Sequence, residues 1–414
     1  MSDREAAGRT VILGGNLVTP FEIIRDGCLL MSNGRISGLG LAQDYRQAPG
    51  DNVLDVSGCW VAPGFIDLLV HGASGHDVMD ATQEALAAIA KDRLKSGTTS
   101  FLAGTRAATR TDTFNTLDAV SEYMEREPAD GAQVLGIYLE GTFLGPSQKG
   151  AQPAEYISDA LGSDREIYLR KFDTHRRQVK IVMVAPELPG ACDFIRELRE
   201  LGFIVAIGHT DASYEQALAA FRAGASHAVH TFNAMKGFTT RQLSEEIGVN
   251  ERPGTLGAVL TEDGVTAEII GDGIHVHPAL IKVLIRCKGI ENVILVTDNV
   301  RGCGMPEGWS YNIRGQDIVI QQGSSRLRNT QLAGCIARMN QLMKNMVQNV
   351  GIPVPEVIRM ATANPARLLN LTHRKGTLCV GMDADVVVLD REFEVKMTIV
   401  RGDVRYAPAV HTSG

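Results

Sequence analysis

No Cys-x-x-Cys pair occurs in this chain, and its seven cysteines are an odd number scattered along the sequence. None has the spacing of a metal ligand, and a disulfide framework is excluded as the organising principle. A basic stripe is also missing. The formal net charge is −7, with acidic and basic residues interleaved, which argues against nucleic acid and against an anionic membrane surface as partners. No apolar run reaches transmembrane length, and no N-terminal segment combines a basic region, an apolar core and a cleavage site. These absences predict a reduced, cytoplasmic compartment.

What is present is length and glycine. At 414 residues the chain can bury a large barrel plus a small satellite domain, and 43 glycines suit many tight strand-to-helix turns. The first sixty or so residues alternate short apolar runs with turns, as in Thr10-Val11-Ile12-Leu13 and Cys28-Leu29-Leu30-Met31. The same texture returns in Ala384 to Leu389 and Val395 to Val400. Both termini are therefore expected to build one small β domain, from residues 1–62 and 374–414, around a central unit of 63–373.

In that central unit apolar runs alternate with helix-like segments. Eight runs can be counted: Phe65 to Val70, Thr98 to Leu102, Val134 to Leu139, Val179 to Ala185, Phe203 to Ile207, His227 to Val229, Thr266 to Ile270 and Asn292 to Val296. Helix candidates between them include Gln83 to Ser96, Ala191 to Leu201 and Ser213 to Ala223. Repeated βα units imply a parallel sheet, and eight imply a closed (β/α)₈ barrel.

Four chemically capable residues stand at the ends of these runs: Glu140, His209, His230 and Asp298. Alone, a glutamate after a strand reads as a solvated loop residue, and Asp298 as the N-cap of a following helix. Parallel barrels, however, build their sites at the C-terminal strand ends. Two histidines and a carboxylate form a three-ligand set that leaves a position open for water, so one divalent metal, zinc, explains Glu140, His209 and His230 together. Asp298 is then the candidate general acid/base, taking a proton from the activated water and returning it to a leaving nitrogen.

The motifs carrying these residues resemble the N-acetylglucosamine-6-phosphate deacetylases of the amidohydrolase superfamily. The resemblance spans nearly the whole chain, from Pro63-Gly64-Phe65-Ile66-Asp67 through Leu139-Glu140-Gly141, Lys149-Gly150-Ala151, Ala185-Pro186-Glu187 and Gly208-His209. It continues through His230-Thr231-Phe232-Asn233-Ala234-Met235, Asp272-Gly273-Ile274-His275 and Val296-Thr297-Asp298, to Ala363-Asn364-Pro365-Ala366 and Gly381-Met382-Asp383-Ala384-Asp385. It implies that Glu140, His209 and His230 hold the catalytic metal, that Asp298 handles the proton, and that Asn233, Ala234 and His275 contact the sugar phosphate. It further implies a TIM-like barrel with a small β-sandwich domain from both termini, and a homodimer whose partner subunit supplies an arginine to the phosphate.

Departures from the family pattern shape the expectations. Where many members carry two histidines at the first strand end, this chain has Leu69 and His71, so the second metal site is at best half-built and His71 is a candidate contact to the metal water or acyl group. Thr142 replaces a usual proline, and Gln152 stands where a histidine polarises the acetyl carbonyl; an amide can donate there but cannot become a cation. The phosphate arginine is either Arg252, in Glu251-Arg252-Pro253-Gly254, or Arg241 in the preceding insertion. The expected reaction is hydrolysis of N-acetylglucosamine 6-phosphate to glucosamine 6-phosphate and acetate. A deacylase for another N-acyl amino sugar, galactosamine-type or unphosphorylated, is the alternative, and a non-catalytic sugar-phosphate binder is a third reading. His76, His175, His227, His277, His373 and His411 fit no family role and are expected to be structural.

Overall fold

The computed structural model describes residues 9–126, 130–157, 161–162, 164–244, 248–313 and 315–409, with the backbone alone over 240–244 and 248–250. Each of the eight apolar runs forms a strand: Phe65–Val70, Thr98–Gly104, Gln133–Phe143, Val179–Val184, Ile204–Ile207, His227–Ala228, Thr266–Ile270 and Val293–Val296. They pair in sequence order and in parallel. Phe65–Val70 and Val293–Val296 are buried at every position, as expected of strands covered by helices outside and packed core inside.

The last strand returns to the first. A parallel bridge joins Val70 to Asn299, and the fully buried Asp67 carboxylate accepts hydrogen bonds from the Thr297 N–H at 3.1 Å and its hydroxyl at 2.6 Å. Burial pushes the Asp67 carboxyl up to about 6, against the pull of those donors.

The helices obey local rules. Gln83–Leu94 begins at Thr82, whose hydroxyl accepts the Ala85 N–H, and Tyr214–Ala223 begins at a Ser213/Gln216 capping box. Ala191–Glu200 buries Ala191, Phe194, Ile195 and Leu198, the stripe that a 3.6-residue period dictates.

Strands from both ends build a second sheet, joined where Trp60–Pro63 pairs antiparallel with Val386–Leu389. Its own core includes Ile12, Leu17, Leu29, Val61, Val386 and Ile399. Ion pairs lock the C-terminal arm: Arg374 reaches Asp383 at 2.7 Å, and Lys375 lies on Asp385. Two additions sit on the barrel, a hairpin of Thr239–Ser244 and Gly248–Arg252 and a three-stranded sheet within Ser310–Leu327. Among the described residues no helix is long and apolar enough to cross a membrane.

Candidate active site

Glu140 lies on the third barrel strand, while His209, His230 and Asp298 each follow a strand by two residues. The last three all have left-handed backbones, with φ of 42°, 23° and 50°. Such conformations cost about 1–3 kcal/mol each in non-glycine residues and persist where the surroundings over-determine them. The glycine after Glu140 is required by packing: a Cβ on Gly141, at φ 107°, would stand 2.1 Å from the Ala107 nitrogen.

The three ligand candidates converge. His230 Nε2 is 3.1 Å from Glu140 Oε1 and 3.2 Å from His209 Nε2, and His209 Nε2 is 3.6 Å from Glu140 Oε1. Ligands at ~2.0–2.1 Å in a tetrahedron around one ion stand about 3.3 Å apart, so the donors fit a single small cation. His209 Nδ1–H donates to the Gln148 carbonyl at 2.8 Å, which fixes the tautomer and turns the Nε2 lone pair toward its partners. Burial raises the Glu140 pKa, but hydrogen bonds from His209 and His230 overcome it and hold the carboxyl well below its usual range. Burial likewise opposes charge on His230, yet Glu140 lifts its imidazole to about 9. A cation held between the three donors would satisfy the same electrostatics.

His71 enters from the first strand end. Its Nδ1–H donates to the Gly104 carbonyl at 3.1 Å, and Nε2 lies 3.1 Å from Asp298 Oδ1 and 3.4 Å from Glu140 Oε2. Burial disfavours the imidazolium, but the Asp298 hydrogen bond and the nearby carboxylates raise its pKa above the usual histidine value. Leu69, in contrast, is fully buried in the core and offers nothing to a second ion.

These residues line a cavity of about 420 Å³ that also includes Gln152, Asn233, Ala234 and His275. Gln152 is largely engaged. Its Oε1 accepts the Ala107 N–H at 3.0 Å, and Nε2 donates to Glu140 Oε2 at 3.1 Å, leaving one N–H for the cavity. His275, also in the lining, donates its Nδ1–H to Asp272 at 2.6 Å. Its Nε2 and the Asn233 Oδ1 are buried without a partner, a condition that in a packed protein points to a missing ligand or water.

Arg252 does not line this cavity. It sits at the base of the hairpin, paired in register with Thr239, and its charge acts on Glu215. Arg241 pairs with Asn250 in the same hairpin, and its side chain lies outside the described residues, as does His411. Sequence reasoning missed Arg106, whose side chain lies in the wall beside Gln152 with its Nε 3.7 Å from Asp77. It follows the second strand by two residues, the same strand-end signal that marked the others. Glu187, given no role within its motif above, accepts the Asp211 N–H at 2.7 Å and the Thr210 hydroxyl, anchoring the turn after His209.

The arrangement places a three-donor set that could hold a metal ion, beside a carboxylate and a third imidazole, at the C-terminal mouth of a barrel, and comparison with known proteins identifies the class as hydrolytic. The amidohydrolase family model matches residues 60–405. The chain is 35% identical over 378 residues to the N-acetylglucosamine-6-phosphate deacetylase of Lysinibacillus sphaericus, covering 91% of this chain and 92% of that protein. It is 34% identical over 348 residues to the N-acetylgalactosamine-6-phosphate deacetylase of Escherichia coli O157:H7, covering 83% and 87%. Among solved structures, a mutant N-acetyl-D-glucosamine-6-phosphate deacetylase from Mycobacterium smegmatis, in complex with N-acetyl-D-glucosamine-6-phosphate, superposes with a TM-score of 0.85 at 29% identity, covering 97% of this chain and 100% of that one. This chain belongs to the amidohydrolase family and, within it, to the N-acetylglucosamine-6-phosphate deacetylases.

Proposed function

We propose that this chain hydrolyses the N-acetyl group of N-acetylglucosamine 6-phosphate, releasing glucosamine 6-phosphate and acetate. The observation that carries the reading is the convergence of Glu140, His209 and His230 on one tetrahedral-sized position, with Asp298 and His71 beside it. Zinc suits two imidazoles and a carboxylate; when bound, it supplies an activated water and polarises the acetyl carbonyl. Leu69 at the would-be second site supports one ion per chain.

The chain's own groups supply the rest. Asp298 takes a proton from the attacking water and returns it to the departing amine. His71, held by Gly104, keeps the Asp298 carboxylate aimed into the cavity. His275 Nε2 and Asn233, with the Ala234 backbone, face the sugar phosphate, and the Asp272 carboxylate sets the orientation of the His275 ring. Arg106 is the guanidinium in the wall that Gln152 shares, on the acyl side. Arg252 lies away from the walls of its own cavity, which supports a homodimer in which an arginine of the hairpin, Arg252 or Arg241, serves the partner's phosphate. The seven free cysteines suit the cytoplasm.

The similarity to a galactosamine-type deacetylase makes the C4 epimer the second reading. One experiment separates them. The zinc-loaded protein is assayed on N-acetylglucosamine and N-acetylgalactosamine, each with and without a 6-phosphate, alongside metal analysis. The expected result is one ion per chain and kcat/KM highest for N-acetylglucosamine 6-phosphate by orders of magnitude. Equal turnover of the unphosphorylated sugar, or two ions at full activity, would refute this reading.

A further inference from the structure

Beneath the ligand set lies a second polar layer that the reaction does not use. His227 and Glu268 are both wholly buried in the barrel, on the neighbouring sixth and seventh strands. His227 Nε2 stands 2.8 Å from Glu268 Oε1, and its Nδ1 is 2.7 Å from the Thr266 hydroxyl. The second carboxylate oxygen, Glu268 Oε2, accepts the backbone N–H of His230 at 3.1 Å, and the Glu268 carbonyl accepts the N–H of Thr231 at 2.9 Å. The hydroxyl of Tyr138, two residues before Glu140 on the third strand, feels the same carboxylate: burial and the Glu268 charge hold that phenol well above its usual pKa.

A buried carboxylate with no chemical task is costly, and an apolar residue would fill the same volume at lower cost. What Glu268 does touch is the backbone of a ligand candidate in a strained conformation. His230 has φ 23°, lies just beyond the short sixth strand, and turns its ring toward Glu140 and His209. Side chain and carbonyl of one residue grip two successive N–H groups there, and His227 braces the side chain from the far side.

We propose that Glu268, braced by His227, is a positioning residue that holds the His230 backbone in its left-handed turn and thereby sets how tightly Glu140, His209 and His230 grip their ion. It rests on the metal assignment made above and goes beyond it, since neither residue reaches the cavity. Outer partners of metal ligands typically contribute 10–100-fold in metal affinity.

The test is metal affinity, measured without any sugar by competition with a chromophoric zinc chelator. In Glu268→Gln the amide offers one acceptor where two donors need one, at unchanged volume. Zinc affinity is expected to fall about 10–100-fold, with kcat at saturating zinc falling more than KM changes. His227→Gln leaves the Glu268 grip on His230 but removes the brace, so a smaller loss in the same direction is expected. Should either variant fold too poorly to assay, the other carries the test. If both lower Tm but keep zinc affinity within twofold of wild type, the pair is ordinary core and the inference is overturned. A wild type that binds no zinc would overturn the metal assignment itself, an outcome plainly separate from the first.

Discussion

Replacing Asp298 by asparagine isolates a proton from everything else at this site. Asp298 sits at φ 50°, a left-handed conformation that asparagine adopts readily and most other residues do not. Its carbonyl accepts the Cys335 N–H at 3.1 Å, a bond indifferent to the side chain. The amide keeps the size of the carboxylate and can still place its oxygen toward His71 Nε2, now 3.1 Å from Asp298 Oδ1. What it cannot do is accept the proton of the attacking water. General acid–base catalysis is worth about 10²–10⁴-fold, or roughly 2.7–5.4 kcal/mol of transition-state stabilisation. Asp298→Asn is therefore expected to lose that factor in kcat, with zinc content and Tm close to wild type. Asp298→Ala should lose the same activity and also stability, by about 1–2 kcal/mol, because alanine in the left-handed region is strained. Single-turnover deacetylation, metal analysis and thermal unfolding decide the matter together. An asparagine variant within threefold of wild-type kcat would remove Asp298 from the proton path, whatever its Tm.

Two further outcomes follow from named contacts. Gln152→Ala frees Glu140 Oε2 and strands the Ala107 N–H, so zinc retention against a chelator should weaken by about tenfold, and an unchanged affinity would show that Glu140 needs no such support. Asp383 tests the arm that ties the C-terminus to the barrel: burial raises its pKa, but Arg374 and Lys375 lower it further than burial lifts it. A depressed folded pKa means stability that is present above the unfolded value near 3.8 and is lost as pH falls through the folded pKa. Asp383→Asn should consequently lower Tm at pH 6–7, by an amount equivalent to about 1–2 kcal/mol for a buried carboxylate paired with a partly exposed arginine, and the gap to wild type should close as pH falls through the depressed folded pKa. A gap that stays constant with pH would refute the ion-pair account.

Local patterning made much of this molecule legible. Eight apolar runs reveal eight strands because a strand buried on both faces is predominantly apolar, even where a buried polar group such as Asp67 or Glu268 interrupts it. Glu140, His209, His230 and Asp298 stand out because a polar residue directly after such a run is at the barrel mouth whatever the rest of the chain does. Position 141 is glycine because the Ala107 backbone approaches it too closely for a Cβ. What local pattern does not carry is who meets whom across the barrel. Asp67 and Thr297, 230 residues apart, close the seam through a side chain. Gln152 carries an amide suited to a substrate, and the fold turns most of it onto Glu140 and Ala107. Arg252 and Arg106 are both arginines near site motifs; the hairpin leaves the first outside the cavity, while the second strand end sets the other in its wall. His227 had no periodic or motif signal, and its meaning comes only from Glu268, 41 positions later in the chain. Period and strand-end position are properties of a segment and can be read from it. The pairing of buried polar groups is fixed by closure of the barrel, which brings distant segments within hydrogen-bond reach, and that only the tertiary structure decides.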